Sequence, residues 1–205
     1  INGSEGIGTG FSTNIPPFNP LDIISNIKKY LKGTELSKLD ELVPWYRGFV
    51  GQIEKVNDNT YNSIGVATVQ SETCVHITEL PIGTWTQDYI DFLSGLIQKE
   101  ELIYDYENNS GNFKIDIKLY FSKNELQKLI KSNSVEKKLK LITPIKTSNM
   151  HLYKNNIITK YNNPNAILKD YVEITHKFIE LEQSGGGLKN YTELGTNTNQ
   201  LLTRF

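Results

Sequence analysis

The sequence predicts an α+β fold with a mixed or antiparallel sheet and flanking helices, and three observations carry that expectation. Three short β-rich segments follow one another between residues 47 and 80. Amphipathic, capped stretches stand before and after them. No strand–helix–strand alternation recurs, as a doubly wound parallel sheet would require. A chain of 205 residues suits one large domain or two small ones.

The elements follow in order. Residues 1–20 hold glycines at 3, 6, 8 and 10, then Ile15 followed by Pro16 and Pro17, and read as a glycine-rich contact loop. From Pro20, Ile23, Ile24, Ile27, Tyr30 and Leu31 recur at helical spacing and Gly33 supplies a stop. Strands are expected over Arg47–Val56, Tyr61–Gln70 and Cys74–Leu80, the first two joined through the turn-forming Asn57-Asp58-Asn59. Thr84 and Gln87 suggest a capping box for a helix from Trp85 to Lys99. Phe113, Ile115, Ile117 and Leu119 alternate with polar residues, as in a half-buried strand. Ser122 and Glu125 cap a helix carrying Leu126, Leu129 and Ile130. Strands Asn149–Tyr153 and Ile157–Lys160 precede a long helix opened by Asn163-Pro164. From Ser184 the sequence becomes Gly- and Thr/Asn-rich and reads as a poorly ordered tail.

Composition limits the function classes. With 22 basic and 23 acidic residues, no overall positive field announces nucleic acid, so a local patch or a neighbouring domain would have to supply it. A single cysteine, Cys74, excludes an internal disulfide framework and fits a reducing compartment. No apolar run reaches bilayer length, and no signal peptide is visible. An opening Ile1 rather than Met implies a chain cut from something longer. His76, His151 and His176 lack ligand spacing, and His76 reads as a strand side chain. The acidic pairs Glu100-Glu101 and Asp105/Glu107 read as solvated faces. Lys137, Lys138 and Lys140 read as a solvated basic face with a lesser claim on phosphate. Trp45 and Trp85 read as core or interface anchors.

The glycine run admits three readings. It could be a plain structural turn. It could cradle phosphate, although no Gly-Lys-Ser/Thr follows and Pro16-Pro17 interrupts it. Or Ile15, stiffened by the prolines beside a bare backbone, could be a wedge between DNA base pairs.

Five blocks in order then carry a resemblance. They are Asn2–Thr13 with Ile15-Pro-Pro-Phe-Asn-Pro20; Pro44-Trp-Tyr-Arg-Gly-Phe-Val-Gly-Gln-Ile-Glu54; Ile77-Thr-Glu-Leu-Pro81 with Thr84-Trp-Thr86; Ile142–Met150; and Lys160-Tyr161. Over residues 1–182 the chain resembles the type IIA DNA topoisomerases, most closely the eukaryotic and large-virus form. The resemblance implies that residues 1–20 end a winged-helix region, that 21–182 form a tower-like α+β domain, and that 183–205 depart from the family. It implies Ile15 as the intercalating wedge, with Gly8, Thr9, Gly10, Ser12, Thr13, Asn14 and Pro16 beside bent double-stranded DNA. A stand-alone DNA-binding module sharing the fold is the rival reading.

The resemblance also places the catalytic tyrosine, the metal-binding acids and the ATPase outside this stretch. No catalytic residue, metal or cofactor is then expected here, while Mg2+, ATP and a homodimer are implied for the parent enzyme. The parent would be intracellular: nuclear in a eukaryote, or in host cytoplasm or the virion for a large virus.

Overall fold

The computed structural model describes residues 3–111 and 113–183. The expected tail lies outside them, apart from Gln183, which ends a helix. In chain order the elements are β1 (Ser4–Gly8), β2 (Phe11–Ile15), α1 (Pro20–Leu31), β3 (Gln52–Asn57), β4 (Thr60–Ile64), β5 (Val66–Val69) and β6 (Cys74–Glu79). There follow α2 (Thr86–Gln98), β7 (Asp105–Asn108), β8 (Ile117–Tyr120), α3 (Lys123–Lys131), α4 (Val135–Lys138), β9 (Ile142–Lys146), β10 (Met150–Lys154), β11 (Ile157–Tyr161) and α5 (Pro164–Gln183). The α+β class is as expected. β1 with β2, β5 with β6, β6 with β8, β7 with β8 and β10 with β11 all pair antiparallel.

The described residues fall into two compact units. Among them, one unit takes residues 3–46, Asp58–Thr60 and residues 146–183; the other takes Arg47–Asn57 and the described residues of Tyr61–Ile145.

In the first unit, α1 starts because Asn19 Oδ1 accepts the Leu21 N–H at 3.0 Å and Pro20 needs no donor partner. Its Ile23, Ile27 and Tyr30 lie on a core of Phe18, Leu39, Leu42, Leu168 and Val172. The fully buried Asn26 is satisfied by Asp40 and Asn165: its Nδ2 donates to the Asp40 carbonyl (2.8 Å) and to Asn165 Oδ1 (3.0 Å). Its Oδ1 accepts the Asp40 N–H at 3.2 Å, so no buried amide group is wasted. β10 and β11 form a two-residue hairpin, because Asn155 and Asn156 both tolerate positive φ (50° and 63°).

In the second unit, a four-stranded sheet runs in the order β5-β6-β8-β7. Val75, Ile77, Ile117 and Leu119 point to one face and are fully buried. Tyr89 and Leu93 of α2 and Leu126 and Leu129 of α3 complete that core. A second sheet has the order β3-β4-β9.

Several local expectations need correction. The glycine-rich stretch is a β-hairpin rather than a loop, and Ile15 closes its second strand instead of standing at the tip. The expected strand Tyr61–Gln70 breaks at Gly65, where a Cβ would lie 2.5 Å from the Glu79 carbonyl oxygen. The expected strand from Phe113 begins only at Ile117. The preceding residues close the β7–β8 hairpin, with Asn109 N–H donating to the Asp116 carbonyl (2.8 Å) and Gly111 N–H to Lys114 (2.9 Å).

The capping box does not form. Gln87 Nε2 bonds Asp91 at 2.9 Å instead, and Trp85 takes the N-cap position of α2. Trp45 and Trp85 are not core anchors, being 38% and 76% exposed. The Ser122 cap is present, its Oγ accepting the Glu125 N–H at 3.4 Å.

Candidate nucleic-acid interface

The β1–β2 hairpin turns on Thr9 and Gly10, with Gly10 at φ +84° where glycine alone is unstrained. The register pairs Gly8 with Phe11, Gly6 with Thr13 and Ser4 with Ile15; alternation puts these six on one face. Glu5, Ile7, Ser12 and Asn14 occupy the other face. The glycines therefore strip bulk from β1 on the face that carries Thr13 and Ile15.

The second strand is anchored on both faces. Thr13 is buried, and its Oγ1 accepts the His151 N–H at 3.0 Å. Asn14 N–H donates to the Asn149 carbonyl at 2.7 Å, and Asn149 Nδ2 donates to Ser12 Oγ at 2.9 Å. Phe11 meets the His151 ring edge-on, with centroids 6.4 Å apart. Three hydrogen bonds and one ring contact thus bind β2 to the start of β10.

The end of the hairpin is held as well. Ile15 is half-buried and rests against the Phe18 core, while Pro16 is buried. Gly3, at φ +87°, lets Pro17 come close: a Cβ there would lie 3.3 Å from Pro17 Cδ. The Pro17 carbonyl accepts the Trp45 N–H at 2.8 Å. The segment from Ile15 to Phe18 is clamped on both sides and has little freedom to bend.

Of the eight residues singled out from the sequence, Gly8, Thr9, Gly10, Ser12 and Asn14 are exposed along the hairpin. Thr13 and Pro16 face inward, and Ile15 lies between these extremes. Sequence reasoning missed Ile7, 91% exposed on the Ser12 face, and also Asn149 and His151, which hold the hairpin. Only the block Ile142–Met150 signalled that the second segment mattered. Lys160 is exposed and in register with His151, which puts a positive charge on the neighbouring hairpin.

Among the described residues, no three His, Cys, Asp or Glu side chains gather as a metal-ligand set. Tyr30, Tyr46, Tyr89 and Tyr161 have phenols pushed above the ordinary value chiefly by burial; Tyr120 is raised first by its hydrogen bond to Glu107. A raised phenol is less ready to ionise and attack.

Comparison with known proteins bears on this geometry. The family model described as DNA gyrase/topoisomerase IV, A subunit, matches residues 1–193. DNA topoisomerase 2 of Pisum sativum is 38% identical over 186 residues, 88% of this chain and 12% of that protein. DNA topoisomerase 2 of Plasmodium falciparum is 40% identical over 174 residues, 83% of this chain and 12% of that protein. A crystal structure of the Plasmodium falciparum topoisomerase II DNA-binding, cleavage and re-ligation domain superposes with a TM-score of 0.79 at 36% identity. The match covers 90% of this chain and 26% of that one. The chain thus spans about an eighth of the length of the curated relatives it matches. It belongs to the DNA gyrase/topoisomerase IV A-subunit family, and corresponds to a stretch within a type II DNA topoisomerase.

Proposed function

We propose that this chain is part of the DNA breakage–reunion core of an ATP-dependent type II topoisomerase, where it grips and bends the duplex to be opened. One observation carries the reading: a glycine-thinned hairpin, bonded to β10, ends in an isoleucine that packs on the Phe18 core and is followed by two prolines. A wedge must resist being pushed back, because unstacking one base step costs a few kcal/mol. Ile15 is braced by the Phe18 cluster, and elsewhere along the same hairpin Thr9, Ser12, Asn14 and the glycine backbone are exposed. Short polar side chains and bare backbone suit contact with sugar and phosphate, which sets register without reading sequence.

The Plasmodium falciparum relative is described as binding, cleaving and re-ligating DNA, and its likeness supports the same role here. Cleavage itself, Mg2+, ATP and the homodimer belong in this reading to the parent protein. The 205-residue chain alone should not relax supercoiled plasmid.

The test is a bending assay on a duplex labelled at both ends, comparing the chain with Ile15→Ala. The expected result is a straighter duplex with affinity changed less than about threefold, since phosphate contacts set affinity. Equal bending by both proteins would defeat the reading.

A further inference from the structure

The basic run at Lys137–Lys140 has no part in the hairpin, yet the fold gives it a setting of its own. Within the second unit, Lys137 and Lys140 line a cleft of about 660 Å³. Facing them are Thr84, Thr143 and Asn62, with Phe92 as an apolar wall. The Thr84 and Thr143 hydroxyls lie 3.5 Å apart, so the two converge on one place.

Lys140 is held rather than loose. Its Nζ stands 4.2 Å from the centre of the Phe92 ring. Its backbone has φ +52°, just beyond the end of α4, where glycine is the usual residue. A side chain at that position costs stability, and here it supplies a cation to the cleft. The next turn is fixed too: Leu141 N–H donates to the Glu136 carbonyl at 2.8 Å, and the Tyr89 hydroxyl donates to the Leu139 carbonyl at 2.8 Å.

Neither Lys137 nor Lys140 forms an ion pair among the described residues. Among those residues Asp88 is the one carboxylate on the lining, which leaves a net positive charge. Two ammonium groups, two hydroxyls and an amide can together satisfy an acceptor-rich anion. A phosphate group has that character, with its charge spread over oxygens and no donor of its own in a diester.

We propose that this cleft is a second phosphate-binding site, which takes the backbone of duplex DNA. Lys137 and Lys140 neutralise phosphate charge, and Thr84, Thr143 and Asn62 donate hydrogen bonds to its oxygens. The identification of the phosphate as nucleic acid rests on the DNA-binding reading above; the phosphate chemistry does not.

The experiment measures duplex affinity of the 205-residue chain across a salt series, for the native protein and for Lys137→Gln/Lys140→Gln. Each phosphate left without its cation should lower the slope of log affinity against log salt by about 0.9, so a drop of up to about 2 is expected with bending retained. Ile15→Ala should do the reverse, reducing bending and leaving the slope, so the two readings fail separately. Lys137→Gln alone, on an exposed side chain, guards against a folding defect and should lower the slope by about 1. A parallel titration with inorganic phosphate, read by shifts of the Thr84 and Thr143 amide signals, distinguishes a free anion from DNA. Shifts with phosphate but no change in duplex slope would assign the cleft to a free phosphate and overturn the nucleic-acid assignment. An unchanged slope in both variants together with no phosphate-induced shift would overturn the site itself.

Discussion

Asn149 holds Ser12 and Asn14 at once, its side-chain amide donating to Ser12 Oγ at 2.9 Å and its carbonyl accepting the Asn14 N–H at 2.7 Å. One residue immediately before β10 thereby ties down the strand that ends in Ile15. Asn149→Ala keeps the carbonyl bond and removes the other. An exposed hydrogen bond of this kind contributes about 1 kcal/mol, so the fold should survive with a small loss. The expected effect is on DNA: a broader distribution of bend angles in a two-dye assay, at a nearly unchanged melting temperature. A native-like distribution would show that the side chain does not steer the hairpin.

Thr13→Val tests the inner anchor. The substitution keeps volume but leaves the His151 N–H without its acceptor at a buried position. The expected loss is about 1–3 kcal/mol in urea unfolding, because the unpaired group bears its full desolvation cost. Faster exchange of the His151 amide should accompany it. No change in either would mean that water replaces the hydroxyl freely.

Two glycines should respond to alanine with opposite signs. At Gly65 a Cβ would sit 2.5 Å from the Glu79 carbonyl oxygen and 3.2 Å from Pro81 Cδ, neither of which can swing aside. Gly65→Ala should cost about 1–3 kcal/mol through overpacking. Gly95 lies inside α2 with nothing within 4 Å of the added carbon, so Gly95→Ala should stabilise by up to about 1 kcal/mol. Chemical denaturation of both variants checks the pair.

Asp170 gives the first unit an acid sensitivity. Burial pushes its carboxyl up, but hydrogen bonds from Lys154 (2.9 Å) and Tyr161 (2.7 Å) outweigh this and hold it below the ordinary value of 3.8. A carboxyl whose folded value lies below its unfolded one binds fewer protons when folded. Its stabilisation is complete above about pH 3.8 and is lost as pH falls through the lower folded value. Asp170→Asn should lower the melting temperature at neutral pH and flatten its fall in acid. Parallel acid limbs for the two proteins would exclude this carboxylate as a contributor.

Helices were the most legible part of the sequence because their signals are local. Ser122 and Glu125 announced α3, the spacing of Ile23, Ile27 and Tyr30 with the stop at Gly33 announced α1, and Asn163-Pro164 opened α5. Strands defined by their partners were harder to see. β7 (Asp105–Asn108) looks like a solvated acidic stretch, because what makes it a strand is its pairing with Ile117–Tyr120 of β8. The single-turn α4 has too few residues for a period to register. Trp85 misled because an aromatic side chain suggests burial, whereas its position at the start of α2 leaves it outside the core. At the candidate interface, Ile15 beside its prolines stood out from the residues themselves, whereas Thr9, Ser12 and Asn14 came only with the family resemblance. The hairpin geometry could not be read from the chain alone, because the bonds that fix it come from Asn149 and His151.

The first unit is assembled from segments that lie far apart along the polypeptide, and this bears on its synthesis. Ser12 and Asn149 are separated by 137 residues, and the buried pair Asn26 and Asn165 by 139. At a translation rate of about 5–20 residues per second, the emerging hairpin would wait roughly 7–27 s for its partner strand. Throughout that interval Thr13 and Ile15 would lack the late segments that cover them, whereas the intervening unit could collapse as it leaves the ribosome. Premature termination near residue 145 would therefore release a chain with one finished half and a hairpin without its anchor, a natural substrate for proteolysis.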